Sequence, residues 1–309
     1  MTEAWIALRF LHFATAMAAF GVGAFRVYAF TGSPGASSDA PARMALDASL
    51  ARAMLVATAL ALLSALAIVP FVASEMAGSA AAALDPATLH AAMLDTDFGH
   101  VWCWHMALAA ALLVLSALPR RRWQVGLTTL AALSVLASLG LTGHAAMDMG
   151  GGTAHEINQM AHLTAGGLWL GGLLPLGVLL RRAVRPDGAA YVPLARIALP
   201  HFSQIGYAAV ALLLITGTVN SVMLVGSFGA FATSPYGRLL AVKIALFLAM
   251  VALAMVNRFR LLPRLNGPKA ASVPLRALAR SVLAEQALGL AILAVVAVLG
   301  TWPPANMAM

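Results

Sequence analysis

The chain has 309 residues, of which 61% are hydrophobic and only 10% are charged. A soluble domain carries about 25% charged residues, so this composition excludes an ordinary soluble globule, and it also excludes a disordered chain. The formal net charge is +8, but the basic residues stand between long apolar runs, where they act as topology signals. We therefore expect no nucleic-acid partner, and the single cysteine excludes a disulfide framework.

Apolar runs of about 20 residues recur along the whole chain, and each is long enough to cross the lipid bilayer as a helix. The runs are rich in Ala and Leu and lack the alternation of a membrane β-barrel strand. The sequence therefore predicts an all-α polytopic membrane protein with a single transmembrane domain over residues 1–309. Eight transmembrane helices are predicted, at about residues 4–30, 46–73, 98–118, 125–143, 158–180, 203–225, 238–257 and 278–300.

Basic residues concentrate in the loops that follow the first, third, fifth and seventh predicted helices. These loops and the adjoining helix ends hold 16 of the 19 Lys and Arg residues. Cytoplasmic loops of membrane proteins carry such an excess, so this side is predicted to be cytoplasmic. Both termini are then predicted to be periplasmic.

The two halves of the chain, about residues 1–150 and 151–309, resemble each other. Residues 98–120 align without gaps on residues 236–258. Four helices per half is an even number, so we expect a 4+4 parallel tandem repeat about an axis along the membrane normal. The alignment pairs His12 with His162, Gly21 with Gly171, and His105 with Lys243.

The connection between the fourth and fifth predicted helices combines histidines with a Met-Asp-Met run. Thioether ligands suit Cu(I) and imidazole suits several transition metals, so this composition favours copper, as Cu(I) more than Cu(II). The other interpretation of Met147 and Met149 is apolar filler in a chain that contains 15 Met residues. We predict a first site at the outer mouth of the bundle, built from His144, Met147, Met149 and His155.

A second, deeper site is predicted around His12, because an ionisable residue inside a membrane helix is a functional candidate by default. His162 is the expected partner, with His105 or Cys103 as further candidates. His155 and His162 lie seven residues apart, which is about 10 Å along a helix, so they are successive stations rather than ligands of one ion. The other interpretations are a structural hydrogen bond for the histidines and a small buried hydrophobe for Cys103.

Two intramembrane histidines on facing helices also fit a b-type haem electron carrier. His12 with His162, or His105 with His144, would then ligate the haem iron. The nearby Met and Cys residues favour copper over haem. A copper-sensing or scaffold protein without flux is a third interpretation that the sequence leaves open.

The sequence contains no phosphate-binding loop and no soluble region large enough for an ATPase domain. Any transport is therefore expected to be passive or coupled to an ion. Glu285, about two turns from the cytoplasmic end of the last predicted helix, is either a hydrogen-bonded carboxyl or a proton or cation relay.

The segments GHAA (143–146) and HLTAGGLWLGGLLPL (162–176) are similar to the CopD/PcoD family of copper-resistance membrane proteins. The similarity continues through the Glu285 segment to TWPP (301–304). It covers about residues 140–304 well and the first half more loosely, through LHFATAMAAFGVG (11–23).

This resemblance implies a multi-pass protein of the bacterial inner membrane that handles copper beside a separate periplasmic CopC-like partner. It implies copper-handling roles for His12, His144 and His162, with His155 as a further position. Gln159 stands where the family often has Asp, which removes an anionic ligand. We therefore expect uptake of copper from the periplasm, contributing to copper resistance, by a transporter and not an enzyme.

Overall fold

The computed structural model describes residues 2–32, 40–118, 122–142, 152–266 and 272–305. Within these ranges every regular element is helical and no strand is present. The α-helices are α1 (Thr2–Tyr28), α2 (Pro41–Met76), α3 (Pro86–Leu94), α4 (Asp97–Ala117), α5 (Arg122–Ser138), α6 (Gly152–Gly166), α7 (Gly172–Ala183), α8 (Val192–Val225), α9 (Phe228–Thr233), α10 (Pro235–Val256) and α11 (Ser272–Leu299). Two π-helical segments, Gly167–Gly171 and Asn257–Leu261, join α6 to α7 and extend α10.

Eight helical stretches of the described ranges are long and apolar enough to cross a membrane, which confirms the predicted number of spans. In chain order they are α1, α2, α4, α5, α6 with α7, α8, α10 and α11. An even number of spans places both termini on the same side. The assignment of that side to the periplasm remains a prediction.

Several helices are longer than the apolar runs from which they were predicted. The second span begins at Pro41 rather than near residue 46, and the sixth span, α8, has 34 residues. At 1.5 Å per residue α8 is about 51 Å long, whereas the hydrocarbon core is about 30 Å thick. The helices therefore continue past the apolar stretch, where hydropathy gives no signal.

The loops on the side opposite the arginine-rich loops contain two short helices, α3 and α9, that the hydropathy pattern did not predict. Asp85 caps α3 and accepts a hydrogen bond from the Thr88 backbone N–H at 2.9 Å. The Thr88 hydroxyl donates to the same carboxylate, and these hydrogen bonds lower the pKa of Asp85. Local capping, rather than hydrophobic periodicity, defines these helices.

The first span lies at the centre of the bundle, where it packs against α2, α5, α7, α11 and the π-helical segment Gly167–Gly171. At its closest approach Gly21 meets Gly171, and a Cβ on either residue would overlap the backbone of the facing helix. Small residues allow such close contact between membrane helices. The two glycines are paired in the alignment of the halves, and their contact supports a repeat that remains a prediction.

Candidate metal centre

His12 and His105 meet in the interior of the first half of the bundle. The first lies on α1 and is 2% exposed; the second lies on α4 and is 0% exposed. Their Nε2 atoms are 3.0 Å apart. The structure therefore brings together two imidazole nitrogens that are 93 residues apart in the sequence.

Each ring is oriented by a serine hydroxyl on its other nitrogen. The Nδ1 atom of His12 lies 2.9 Å from Ser64 Oγ, and that of His105 lies 2.8 Å from Ser138 Oγ. Both hydroxyls already donate to helix carbonyls, at Leu60 and Val135 respectively. Since a hydroxyl has one hydrogen, a serine that gives it to the helix carbonyl can only accept from the imidazole, and Nδ1 then carries the ring hydrogen.

The contact between the rings admits two arrangements of hydrogen. In one, a single ring donates Nε2–H to the other ring and its Nδ1 accepts from the serine hydroxyl; in the other, both rings carry hydrogen on Nδ1. With hydrogen on Nδ1, the Nε2 atom of each neutral imidazole presents a lone pair, and the two lone pairs face each other at 3.0 Å. Two acceptors in contact are stabilised only when a cation lies between them. That cation is either a proton or a metal ion, and neutral imidazole nitrogen is a common metal ligand.

Trp102 closes one side of the histidine pair. Its ring stacks on His105 with a centroid separation of 4.7 Å and lies 5.4 Å from the ring of His12. The indole N–H donates to the Ala65 carbonyl at 3.1 Å, which leaves the ring face free for stacking. A cation held between the imidazoles would thus be shielded from lipid by an aromatic wall.

The depth of His105 in the bundle is set by the beginning of α4. Thr96 caps this helix and accepts a hydrogen bond from the Gly99 backbone N–H at 2.9 Å. A Cβ on Gly99 would overlap the carbonyls of Ala92 and Met93, so α3 packs directly against the first turn of α4. The cap and this contact together fix how far α4 extends into the membrane.

His162 lies in the second half and makes a different contact. Its Nδ1 is 2.8 Å from Thr216 Oγ1, which itself donates to the Leu212 carbonyl. The Nδ1–H is therefore donated to the hydroxyl, as in the second arrangement of the first half. No hydrogen bond or ring contact joins His162 to His12 in the described ranges, so the expected pairing of these two histidines is not observed.

An amide cluster continues outward from His162. Asn158 donates to Asn220 Oδ1 at 2.8 Å, and Asn220 donates to Gln159 Oε1 at 2.8 Å. His155, one turn further out, is 2% exposed. The cluster lines α6 and α8 with polar groups at the depths expected for successive stations, and the ligand role of His155 and His162 remains a prediction.

Cys103 lies away from the histidine pair. Its Sγ faces the Met93 carbonyl at 3.9 Å, on the side of α4 that packs against α3. His105 is only two residues further along, which on a helix points it about 200° around the axis. The structure therefore places Cys103 beside α3 and not beside the candidate ligands.

The predicted outer site lies mostly outside the described residues. His144, Met147 and Met149 all belong to residues 143–151, between the described ranges. Within those ranges no group of three or more His, Cys, Asp and Glu side chains could hold a metal ion. The described part of the chain thus offers a pair of nitrogen ligands, and the outer site remains a prediction.

The haem interpretation meets a spatial limit at the observed pair. With Nε2 atoms 3.0 Å apart, His12 and His105 leave no room for a porphyrin between their rings. The pairing of His105 with His144 remains a prediction, because His144 lies outside the described ranges. The pair that the structure does form fits a small cation.

Sequence reasoning did not predict the residues that orient the histidines. Ser64, Ser138 and Thr216 are three of several hydroxyl residues within the apolar spans, and Trp102 is one of 6 tryptophans. A useful signal was present, because a hydroxyl at mid-membrane depth has few partners other than a helix carbonyl or a polar group on a neighbouring helix. Matching such residues by depth would have suggested these contacts.

Comparison with known proteins identifies the family. Residues 1–155 match the family described as copper resistance protein D-like, N-terminal domain, and residues 196–299 match the family copper resistance protein D. No solved structure matches the chain.

Three relatives cover most of the chain. Copper resistance protein D of Pseudomonas syringae pv. tomato is 33% identical over 97% of this chain and 96% of its own length. Inner membrane protein YebZ of Escherichia coli (strain K12) is 29% identical over 97% of this chain and 98% of its own length. Copper transport protein CutJ of Bacillus subtilis (strain 168) is 29% identical over 73% of this chain and 40% of its own length. With its eight apolar helices the protein is a multi-pass protein of the inner membrane, and the chain belongs to the copper resistance protein D family.

Proposed function

We propose that this protein carries copper from the periplasm across the inner membrane, with His12 and His105 as the ligands of an intramembrane site. The observation behind the proposal is the pair of buried Nε2 atoms that lie 3.0 Å apart. A metal–nitrogen bond is about 2.0 Å long, so two such bonds in a line span about 4 Å. The rings would need to separate by only about 1 Å to hold an ion linearly between them.

This geometry favours Cu(I) as the transported ion. Two neutral imidazoles add no negative charge, and the described ranges supply no carboxylate beside them. Low coordination number and uncharged ligands suit a soft monovalent ion better than Cu(II), which prefers square-planar or tetragonal sites. Fixed ligands would also replace the water that an ion loses on entering the membrane.

The remaining steps of the proposed transport connect the predicted outer ligands and His162 with the site at His12 and His105. Copper would reach the bundle from a separate CopC-like periplasmic protein, through the outer ligands His144, Met147, Met149 and His155. His162 would serve as a further station in the second half. No covalent bond of a substrate is made or broken on this path, so the activity is transport and not catalysis.

Copper uptake into proteoliposomes that contain only this protein tests the proposal. We expect Cu(I) to enter liposomes with the wild-type protein and not those with His12→Ala. X-ray absorption of the Cu(I)-loaded protein should show a shell dominated by nitrogen.

Copper binding without uptake would instead indicate a sensor or scaffold. A strong Soret band in the visible spectrum of the purified protein would indicate the haem carrier and overturn the proposal.

A further inference from the structure

A second buried polar pair lies at the other end of the membrane, away from the histidines. Glu285 on α11 is 2% exposed, and its Oε1 accepts a hydrogen bond from the Asn257 side-chain amide. Asn257 is the first residue of the π-helical segment that extends α10. The pair joins the seventh span to the eighth, in the half of the bundle that carries the arginine-rich loops.

Within the described ranges the Glu285 carboxyl has no cationic partner within 4.0 Å. In the described ranges the ion pair within 4.0 Å is that of Arg26 with Asp47, and it does not involve Glu285. The elements packed against α11 carry other charged or titratable groups on the same side of the membrane, and none of the arginines among them lies within 4.0 Å of this carboxyl. These groups are Arg26 and Tyr28 on α1, Arg181 and Arg182 on α7, Arg258, Arg260 and Arg264 after α10, and Arg276 and Arg280 on α11 itself.

Asn257 supplies the complementary observation. Its Oδ1 is buried and has no hydrogen-bond partner in the described structure. A buried acceptor without a donor is costly, and so is a buried carboxylate without a cation. One proton removes both costs, because a neutral carboxyl has an O–H that can donate to Oδ1 while Oε1 still accepts from the amide. Acid and amide then form a closed pair with two hydrogen bonds.

The neighbouring residue, Gln286, contacts the helix that directly follows the other π-helical segment. Gln286 donates to the Leu173 carbonyl at 2.8 Å, two residues after Gly171, where that segment ends. A Cβ on Gly177 would come within 2.6 Å of the Gln286 amide nitrogen, so the glutamine is closely held. Adjacent residues of α11 therefore contact one π-helical segment and the helix that directly follows the other, and π-helical turns are frequent at functional sites.

We propose that Glu285 and Asn257 form a proton-binding site, and that the proton bound there is the ion coupled to copper movement. Proton binding stands on the geometry of this pair alone, whereas the coupling rests on the proposed copper transport. Release of the proton would leave a carboxylate facing Asn257 Oδ1 without a donor. The contact would then weaken, and the π-helical segment of the seventh span would be free to shift against α11.

Infrared spectroscopy of the full-length protein in lipid nanodiscs tests proton binding. At neutral pH we expect the carbonyl band of a protonated carboxylic acid, which moves on labelling with ¹³C-glutamate and is lost in Glu285→Gln. Glu75→Gln is the matched control, because Glu75 is exposed at the end of α2 and its substitution should leave the band intact. Asn257→Leu should shift the band to the frequency of a less strongly hydrogen-bonded acid.

Absence of the band in the wild type, or its persistence in Glu285→Gln, overturns the proton site. The Asn257→Leu variant keeps the proposal testable if Glu285→Gln does not fold, since an unshifted band would remove Asn257 from the site.

Proteoliposomes with a pH-sensitive dye inside test the coupling. We expect copper uptake by the wild type to change the internal pH and to depend on an imposed pH gradient. Glu285→Gln should abolish both dependences while Cu(I) binding at His12 and His105 stays unchanged. Copper uptake that ignores the gradient in the wild type overturns the coupling and leaves the proposed function intact. An intact acid band without any copper uptake refutes the proposed function and the coupling that rests on it, and leaves the proton site.

Discussion

The two halves of the bundle share one structural unit, a histidine on the first helix of the half bound to a hydroxyl on the second. In the first half His12 Nδ1 pairs with Ser64, and in the second half His162 Nδ1 pairs with Thr216. Each hydroxyl donates to the carbonyl four residues earlier. When each hydroxyl gives its hydrogen to that carbonyl, the histidine carries hydrogen on Nδ1, and Nε2 has a lone pair in both halves.

The halves differ in the residue that the third helix offers to this lone pair. In the first half this residue is His105, the second ligand of the proposed copper site; the aligned position of the second half is Lys243. Trp169 packs on Phe247 with ring centroids 5.9 Å apart, which brings α10 alongside the fifth span at this depth, where Lys243 interacts electrostatically with His162. An ammonium group has three donors and no lone pair, so Lys243 cannot provide the second nitrogen ligand that His105 provides in the proposed site of the first half.

The largest expected effect is a loss of Cu(I) affinity, and it distinguishes His12 from His162. Replacing His12 with Ala removes one of the two proposed copper ligands. Loss of a residue that only hydrogen-bonds to a ligand lowers metal affinity by about 10–100-fold, so we expect a larger fall in Cu(I) affinity here. His105→Ala should do the same, and the double variant should bind no worse than either single one, because the two ligands act as one unit. Titration of the purified variants against a Cu(I) chelator measures all three.

His162→Ala is the matched variant of the second half. We expect it to slow uptake while the affinity of the His12 and His105 site is kept. Equal loss of Cu(I) affinity in His12→Ala and His162→Ala would contradict the assignment of the copper ligands to the first half alone.

The next effect concerns the contact between the halves. Gly21→Ala and Gly171→Ala each place a methyl group into the backbone of the facing helix, and overpacking of this kind typically costs about 1–3 kcal/mol, or more where the backbone cannot move. Thermal denaturation followed by size-exclusion chromatography should show lower stability for both. Gly126→Ala is the control, because no atom lies within 4 Å of the added Cβ. Equal stability of all three variants would show that the halves do not touch at these glycines.

The number of spans and their approximate positions could be predicted because burial in lipid demands long apolar helices, a signal that is local in sequence. The depth of His12 was predictable for the same reason. Its partner was not, since His105 and His162 both lie at a compatible depth and the choice depends on how each helix is rotated about its axis. That rotation is set by contacts such as Gly21 with Gly171 and Gly99 with α3, which join residues far apart in the chain.

The orienting serines should show an intermediate effect. Ser64→Ala or Ser138→Ala keeps both copper ligands but removes the acceptor that holds each Nδ1–H, so Cu(I) affinity should fall by about 10–100-fold. Ser134→Ala is the control, because this half-buried serine makes a similar bond to its own helix carbonyl, at Leu130, and forms no hydrogen bond with a histidine in the described ranges. Thr216→Val carries the comparison to the second half and should leave the affinity unchanged. A loss in the control as large as that in Ser64→Ala would assign the effect to the helix rather than to the ligands.

The smallest expected effect is a gain of Cu(I) binding in the second half. If Lys243 accounts for the difference between the halves, then Lys243→His removes the ammonium group and presents a second imidazole to Nε2 of His162. We expect this variant to bind a second equivalent of Cu(I), more weakly than the first. The binding is weaker because His162 is only half-buried and because the histidine side chain at position 243 is shorter than lysine. The second half also lacks the aromatic wall that Trp102 provides in the first half. Lys243→Leu removes the same charge without adding a ligand, so it should bind one equivalent, as the wild type does. Copper stoichiometry measured on the purified variants distinguishes the two. Combining His12→Ala with each is a further test, because with the first site silenced Lys243→His should bind one equivalent and Lys243→Leu none. A second equivalent in Lys243→Leu would mean that the ammonium merely blocks a site already complete without position 243, and no gain in either variant would mean that the halves differ by more than this one residue.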